Sequence, residues 1–284
     1  MSKIGVLLCG NSGIDYIDHD YDIPVLRSIV FMGTEEYEDF TEIKADDFYN
    51  RLISDPKLMP STAQVATGVA LEKYQAMVAK GYDELLVITL SDGFSGTYQG
   101  CVLAGKMLEG TKVTVFDSKT VSYPEAKMGL DAAKMAKEGK SLEEILEHLE
   151  FIRDNSMIWF SVETLRYLVM NGRLSGAAGF MGSLMKIKPM LEITKEGKIE
   201  SIEKIRTTSK ATSRMIEKFL EEVEGKDVDV FIINTNSDKR VKFVADAVLK
   251  ARPDIRNIDI HPLTPAVGAH AGPGTVGIGY ILKK

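Results

Sequence analysis

Apolar runs alternate with segments of helical period along the first half of the chain. Ile4–Cys9 is a short apolar run stopped by Gly10-Asn11-Ser12-Gly13, which predicts a buried strand. Ala45–Ser54 sets Phe48 and Leu52 on one helical face. Thr67 is placed to cap a second helix running to about Lys80, with Val69, Tyr74, Met77 and Val78 turned inward. Glu84–Leu90 (ELLVITL) predicts another buried strand. A Ser/Gly loop, a helix from about Thr97 to Leu108 and a strand at Lys112–Asp117 follow. Strands separated by helices call for a parallel sheet, because each crossover lays a helix over it. The predicted fold class is α/β, with the loop after Glu84–Leu90 at the carboxyl end of that sheet, where such folds bind ligands.

The second half begins with a well-marked helix. Ser141 and Glu144 have capping-box spacing, and Leu142, Ile145, Leu146, Leu149 and Ile152 recur at helical intervals. Met157–Val162 (MIWFSV) opens a new unit. Pro189–Thr194 and Lys198–Ile205 flank Lys195-Glu196-Gly197 as a β-hairpin. Lys210–Glu224 is an amphipathic helix, Val228–Ile233 a strand, Asp238–Ala251 a helix capped by Ser237, and Ile258–Leu263 a further strand. With no repeat and no linker composition, the expected division is an N-terminal α/β domain over 1–156 and a mixed α/β C-terminal domain over 157–284.

Composition narrows the function. The 284 residues carry 35 Lys plus Arg against 41 Asp plus Glu, a net charge of −6, which argues against a nucleic-acid binder. No apolar run reaches the ~18 residues of a membrane span. The first residues read as a strand and not a signal peptide, since glycine breaks the apolar stretch at once. Cys9 and Cys101 alone build no disulfide framework and no CxxC site, which suits a reducing cytoplasm.

Four patterns carry candidate chemistry. Gly272–Gly277 satisfies GxGxxG, but only seven residues follow Gly277, too few for a dinucleotide-binding unit. Gly93-Phe94-Ser95-Gly96-Thr97 lacks the second glycine of a nucleophile elbow. It still places Ser91, Ser95 and Thr97 between a strand and a helix start. Such a start offers unpaired N–H groups to a carboxylate or phosphate, with simple capping by Ser95 as the plainer reading. His270 stands in the glycine-rich stretch Gly268–Gly274, either as a ligand contact or as a structural loop residue. Met157, Met170, Met181, Met185 and Met190 crowd one region, as core or as the wall of an apolar cavity.

The chain resembles the DegV family of fatty-acid-binding proteins. The resemblance is carried by Asn11–Asp15, Pro60–Gln64, Thr89–Gln99, Val115–Ser118, Leu165–Leu168, Gly172–Ser175, Gly182–Leu184 with Ile187–Pro189, and His270–Gly274 with Gly277. It implies a two-domain α/β protein that holds a long-chain fatty acid in a buried tunnel and uses no cofactor. It further implies a non-enzymatic role as the binding subunit of a fatty acid kinase, presenting the carboxylate to a separate ATP-binding subunit. No Walker A sequence occurs in this chain. The expected head-group residues are Thr62, Ser95 and His270, with Ser91 as a further candidate and Arg173 as a gate or docking residue. The chain departs from the family pattern at Asn11, Gly13, Ala63 and Asp92. An acid facing a bound carboxylate would repel it, so Asp92 is expected to point away. The alternatives are a hydrolase or acyltransferase using Ser95 or Ser91 with His270 as base, or a lipid-sensing regulator.

Overall fold

The computed structural model describes residues 3–180 and 187–284. Gly182–Leu184, Met181 and Met185 lie outside the described residues. In chain order the first part holds β1 (Ile4–Cys9), β2 (Val25–Leu26), β3 (Ile29–Met32), β4 (Glu35–Glu38), α1 (Ala45–Ser54), β5 (Pro60–Ala63) and α2 (Thr67–Ala79). Then come β6 (Glu84–Thr89), α3 (Thr97–Met107), β7 (Lys112–Asp117), α4 (Tyr123–Lys137) and α5 (Leu142–Asp154). β2, β1, β6 and β7 form a four-stranded parallel sheet in that order. All six residues of β1 are buried, as expected of a central strand covered on both faces. The Ser141–Glu144 capping box is present at the start of α5.

The remaining elements are β8 (Ser156–Ser161), α6 (Arg166–Met170), β9 (Met190–Ile193), β10 (Ile199–Glu203), α7 (Thr208–Glu222) and β11 (Val228–Asn234). They continue with α8 (Asp238–Ala251), β12 (Ile258–Pro262), α9 (Pro265–Ala271) and β13 (Val276–Leu282). Six strands pair in the order β10-β9-β8-β13-β11-β12, and only β11 and β12 run parallel. The predicted hairpin is the β9–β10 pair. Period-two alternation sorts this sheet into two faces. Trp159, Ile232 and Ile278 pack with Met215 and Phe219 of α7. Phe160, Phe231 and Ile233 join the core of the parallel sheet.

A third sheet, β4-β3-β5, is antiparallel and packs on α1 and α9 through Val30, Phe48, Tyr49, Ala266 and Ala269. Tyr49 Oη donates to Leu263 O at 2.7 Å, pinning this sheet's helix to the strand end before α9. Among the described residues no helix is long and apolar enough to cross a membrane.

Several local expectations are corrected. Val69 is 39% exposed, because α2 turns Ala70, Tyr74 and Met77 to the core and Val69 lies off that face. The helix starts at Thr67, with Ala66 in the capping position and no side-chain cap. Ser237 precedes α8, but its hydroxyl donates to Thr235 O and caps nothing. His270 is not in a loop. It occupies the last turn of α9. The glycines at 277 and 279 belong to a strand, β13, whose small inner face leaves room for Phe160, Ile233 and Phe231.

Candidate functional site

The parallel sheet ends in three loops that carry Asn11, Leu90 and Val121. All three face a cavity of about 240 Å³ whose opposite wall is the inner face of the six-stranded sheet, with Phe160, Ile193 and Ile233. The loop after β6 therefore lies at the carboxyl end of the sheet, as expected. Most of the wall is apolar. Thr62, Ser95, Arg173 and His270, separated by more than 200 residues of sequence, line the same space.

Thr62 is delivered by β5, where it sits opposite Val30, on the sheet face that α9 covers. His270 comes from α9, and its Nε2 lies 2.9 Å from Thr62 Oγ1. The other ring nitrogen, Nδ1, is buried without a partner. Burial, and then the nearby Arg173 charge, push the imidazole down to about 4, so the ring is neutral at pH 7. A neutral ring donates from one nitrogen and accepts at the other.

Ser95 stands one residue before Gly96, which caps α3. Its Oγ accepts from Thr97 N at 3.2 Å and lies 2.9 Å from Thr97 Oγ1. This small turn satisfies the first N–H of α3 and sets Ser95 and Gly96, at the positive end of the helix, on the cavity wall. Arg173 follows α6. Its Nε donates to Phe94 O at 3.0 Å, and its guanidinium also bonds Asn171 O. No acidic side chain forms an ion pair with it among the described residues, so the cavity holds a cation and two or more neutral donors.

Ser91 is not brought to this site. Leu90 faces the cavity, and the next residue points the other way: Ser91 Oγ donates to Gly197 O at 2.8 Å and accepts from Gly93 N at 3.1 Å. The hydroxyl ties the loop after β6 to the β9–β10 hairpin. Asp92 pairs with Lys119 at 2.8 Å, and that contact holds its carboxyl below the usual range. It is not part of the cavity wall, as expected. Asn11, Ser28 and Gln64 are the polar lining residues with no expected contact role. Ser28 Oγ donates to Asn11 Oδ1 at 3.2 Å. Their pairing spans seventeen positions and leaves no local pattern to read. None of the described methionines lines the cavity: Met190 is core and Met170 is exposed. No group of three His, Cys, Asp or Glu side chains among the described residues could hold a metal.

Asp39 sets the start of α9. It is buried, its Oδ1 accepts from Ala266 N at 3.2 Å, and its Oδ2 has no partner. Burial pushes its carboxyl up to about 7, against the pull of Thr264, Ala266 N–H and Arg27. A raised folded-state carboxyl stabilises the fold below its unfolded value near 4, and that contribution is lost as pH rises through about 7. Asp39→Asn should therefore gain on the wild type across this window, by roughly 2–4 kcal/mol above pH 7. Thermal unfolding at pH 5 and pH 8 checks this. A difference that does not change with pH would contradict the assignment. His270 acts oppositely, losing stability as pH falls from about 6.5 towards 4, and is common to both proteins.

Comparison with known proteins finds similarity along nearly the whole chain. The family model described as an uncharacterised protein of the DegV family matches residues 14–283. A DegV domain-containing protein of Halalkalibacterium halodurans is 35% identical over 263 residues, covering 92% of both chains. One from Staphylococcus aureus (strain COL) is 32% identical, covering 99% of this chain and 98% of its own. Among solved structures, a DegV family protein of Thermus thermophilus described by its fatty acid binding superposes with a TM-score of 0.86 at 26% identity, over 100% of both chains. DegV of Bacillus subtilis, described as a fatty acid binding protein, gives 0.84 at 28%, again over 100% of both. A family model matched over residues 14–283 and end-to-end similarity to these relatives lead to one conclusion: this chain belongs to the DegV family.

Proposed function

We propose that the protein is a non-enzymatic carrier that holds a long-chain fatty acid between lobes 1–156 and 157–284 and presents its carboxylate to a separate ATP-dependent kinase subunit. The observation that carries this reading is the convergence of Thr62, Ser95, His270 and Arg173 at one apolar-walled cavity. A chain of about 15 methylenes gains roughly 12 kcal/mol on leaving water, enough to drive it into such a space. A carboxylate is too costly to bury unpaired, and these donors supply its partners. The fatty acid binding of the Thermus and Bacillus relatives supports the same ligand. A hydrolase is disfavoured because Ser95 pairs with Thr97 and no acid orients His270 Nδ1 among the described residues. The setting is the cytoplasm, and no cofactor takes part.

Arg173 acts as the gate. It spans Phe94 O and Asn171 O over the cavity, and a guanidinium can exchange such carbonyls for a carboxylate or phosphate. With a bacterial fatty acid kinase subunit, ATP and hexadecanoate, the wild type should support acyl-phosphate formation, trapped as the hydroxamate. Arg173→Ala should lose at least about tenfold in that rate while retaining more of its bound lipid. Unchanged acyl-phosphate formation would remove the gate. Ester hydrolysis without a kinase subunit would favour the enzyme instead.

A further inference from the structure

The polar lining of the cavity extends beyond the four expected head-group residues. The two oxygens of a carboxylate offer about four acceptor directions. Thr62, Ser95, His270 and the Arg173 guanidinium are the candidate donors to them, and Gln64 lies on the same wall. Asn11 lines the same cavity, is 6% exposed, and its Oδ1 accepts from Ser28 Oγ at 3.2 Å. Its Nδ2 donates to no group among the described residues. The Nδ2 is not sealed among protein atoms but is accessible at the cavity wall, so it is placed to donate to an oxygen on whatever fills the space.

Two rulers place that oxygen. Val30 lies opposite Thr62, so Ser28, two residues earlier, falls on the same sheet face, diagonal to Thr62 at about 7–8 Å between Cβ atoms. Ser28 O accepts from Asp39 N, and Asp39 Oδ1 accepts from Ala266 N, which sets Ser28 beside the first turn of α9. His270 is four residues further along that helix, about 6 Å away. A ligand whose carboxylate meets Thr62 would therefore pass the Asn11–Ser28 pair along its first several carbons, at about 7–8 Å from the Thr62 position.

We infer that Asn11 and Ser28 form a second polar subsite for an oxygen substituent on the first few carbons of the acyl chain, so that the preferred ligand class is a 3-hydroxy or similarly oxygenated fatty acid. The inference rests on the carrier reading and refines its ligand. Lipid-stripped wild-type protein titrated with hexadecanoate and with 3-hydroxyhexadecanoate should bind the hydroxy acid about tenfold more tightly. 12-Hydroxyhexadecanoate, with its oxygen far along the apolar wall, should show no such gain. Asn11→Ala and Ser28→Ala should each bring the ratio of the first two affinities close to one. Equal binding of the two acids by the wild type overturns the subsite, and this arm needs no variant to fold. A preference that survives Asn11→Ala, or a ratio unmoved because both acids weaken alike, also overturns it. Failure of every acid to bind would bring down the carrier reading and the subsite together, whereas tight hexadecanoate binding without preference removes the subsite alone.

Discussion

Thr62→Ala combined with Ser95→Ala should leave a folded protein that has lost its fatty acid, with affinity lower by roughly 10²- to 10⁴-fold. Each hydroxyl reaches the cavity from a separate element, β5 or the turn before α3, so neither can replace the other. A hydrogen bond to a charged group contributes about 1.5–3 kcal/mol, and 1.4 kcal/mol is a factor of ten. Thr62→Ser keeps the hydroxyl against His270 Nε2 and should retain most binding. The measurement is lipid content after purification together with a titration of the stripped protein. Wild-type lipid content in the double variant would place the carboxylate elsewhere.

Gly279→Ala should cost more stability than any other single added methyl group discussed here, about 3 kcal/mol or more. β13 is an inner strand of the six-stranded sheet, paired with β8 and β11. A Cβ on Gly279 would press into the Met157 carbonyl on one side and the Phe231 ring on the other. A ring can tilt, but the carbonyl belongs to the neighbouring ladder and cannot yield without breaking it. Gly68→Ala is the matched control: it lies in α2, a Cβ there meets nothing, and it should be neutral or stabilising by up to about 1 kcal/mol. Denaturant unfolding separates the two. Similar stabilities would refute the packing argument.

The contrast between those glycines also explains which parts of the fold were legible in the sequence. β1, Leu85–Ile88 of β6 and Val230–Ile233 of β11 are apolar runs, and α5 and α7 hold long helical periodicities, so local pattern sufficed. β13 was hidden because its inward positions are Gly277 and Gly279, chosen for the bulk of Phe160, Ile233 and Phe231 across the sheet. β2 has two residues and β4 is Glu-Glu-Tyr-Glu, a polar edge strand, so neither shows an apolar face. α9 has seven residues with Gly268 inside and Gly272 beyond, which resembles a loop until Tyr49 and Asp39 are seen fixing its start.

The site divides in the same way. Ser95 could be read from a hydroxyl at a helix start, and Thr62, Arg173 and His270 from family resemblance. Ser91 was misplaced because one step along an extended segment reverses a side chain, and its partner Gly197 is remote in sequence. The Asn11–Ser28 contact continues the parallel register of β1 and β2, in which Leu8 lies opposite Val25 and Cys9 opposite Leu26, and a two-residue β2 leaves too little pattern to read that pairing from sequence.

Mass spectrometry of the purified wild-type protein under native conditions tests the central claim most directly. The carrier account predicts a complex one fatty acid heavier than the chain, which on denaturation releases a long-chain acid in one-to-one ratio. A protein that emerges empty, takes up no fatty acid when supplied with one, and turns over carboxylic esters would contradict it.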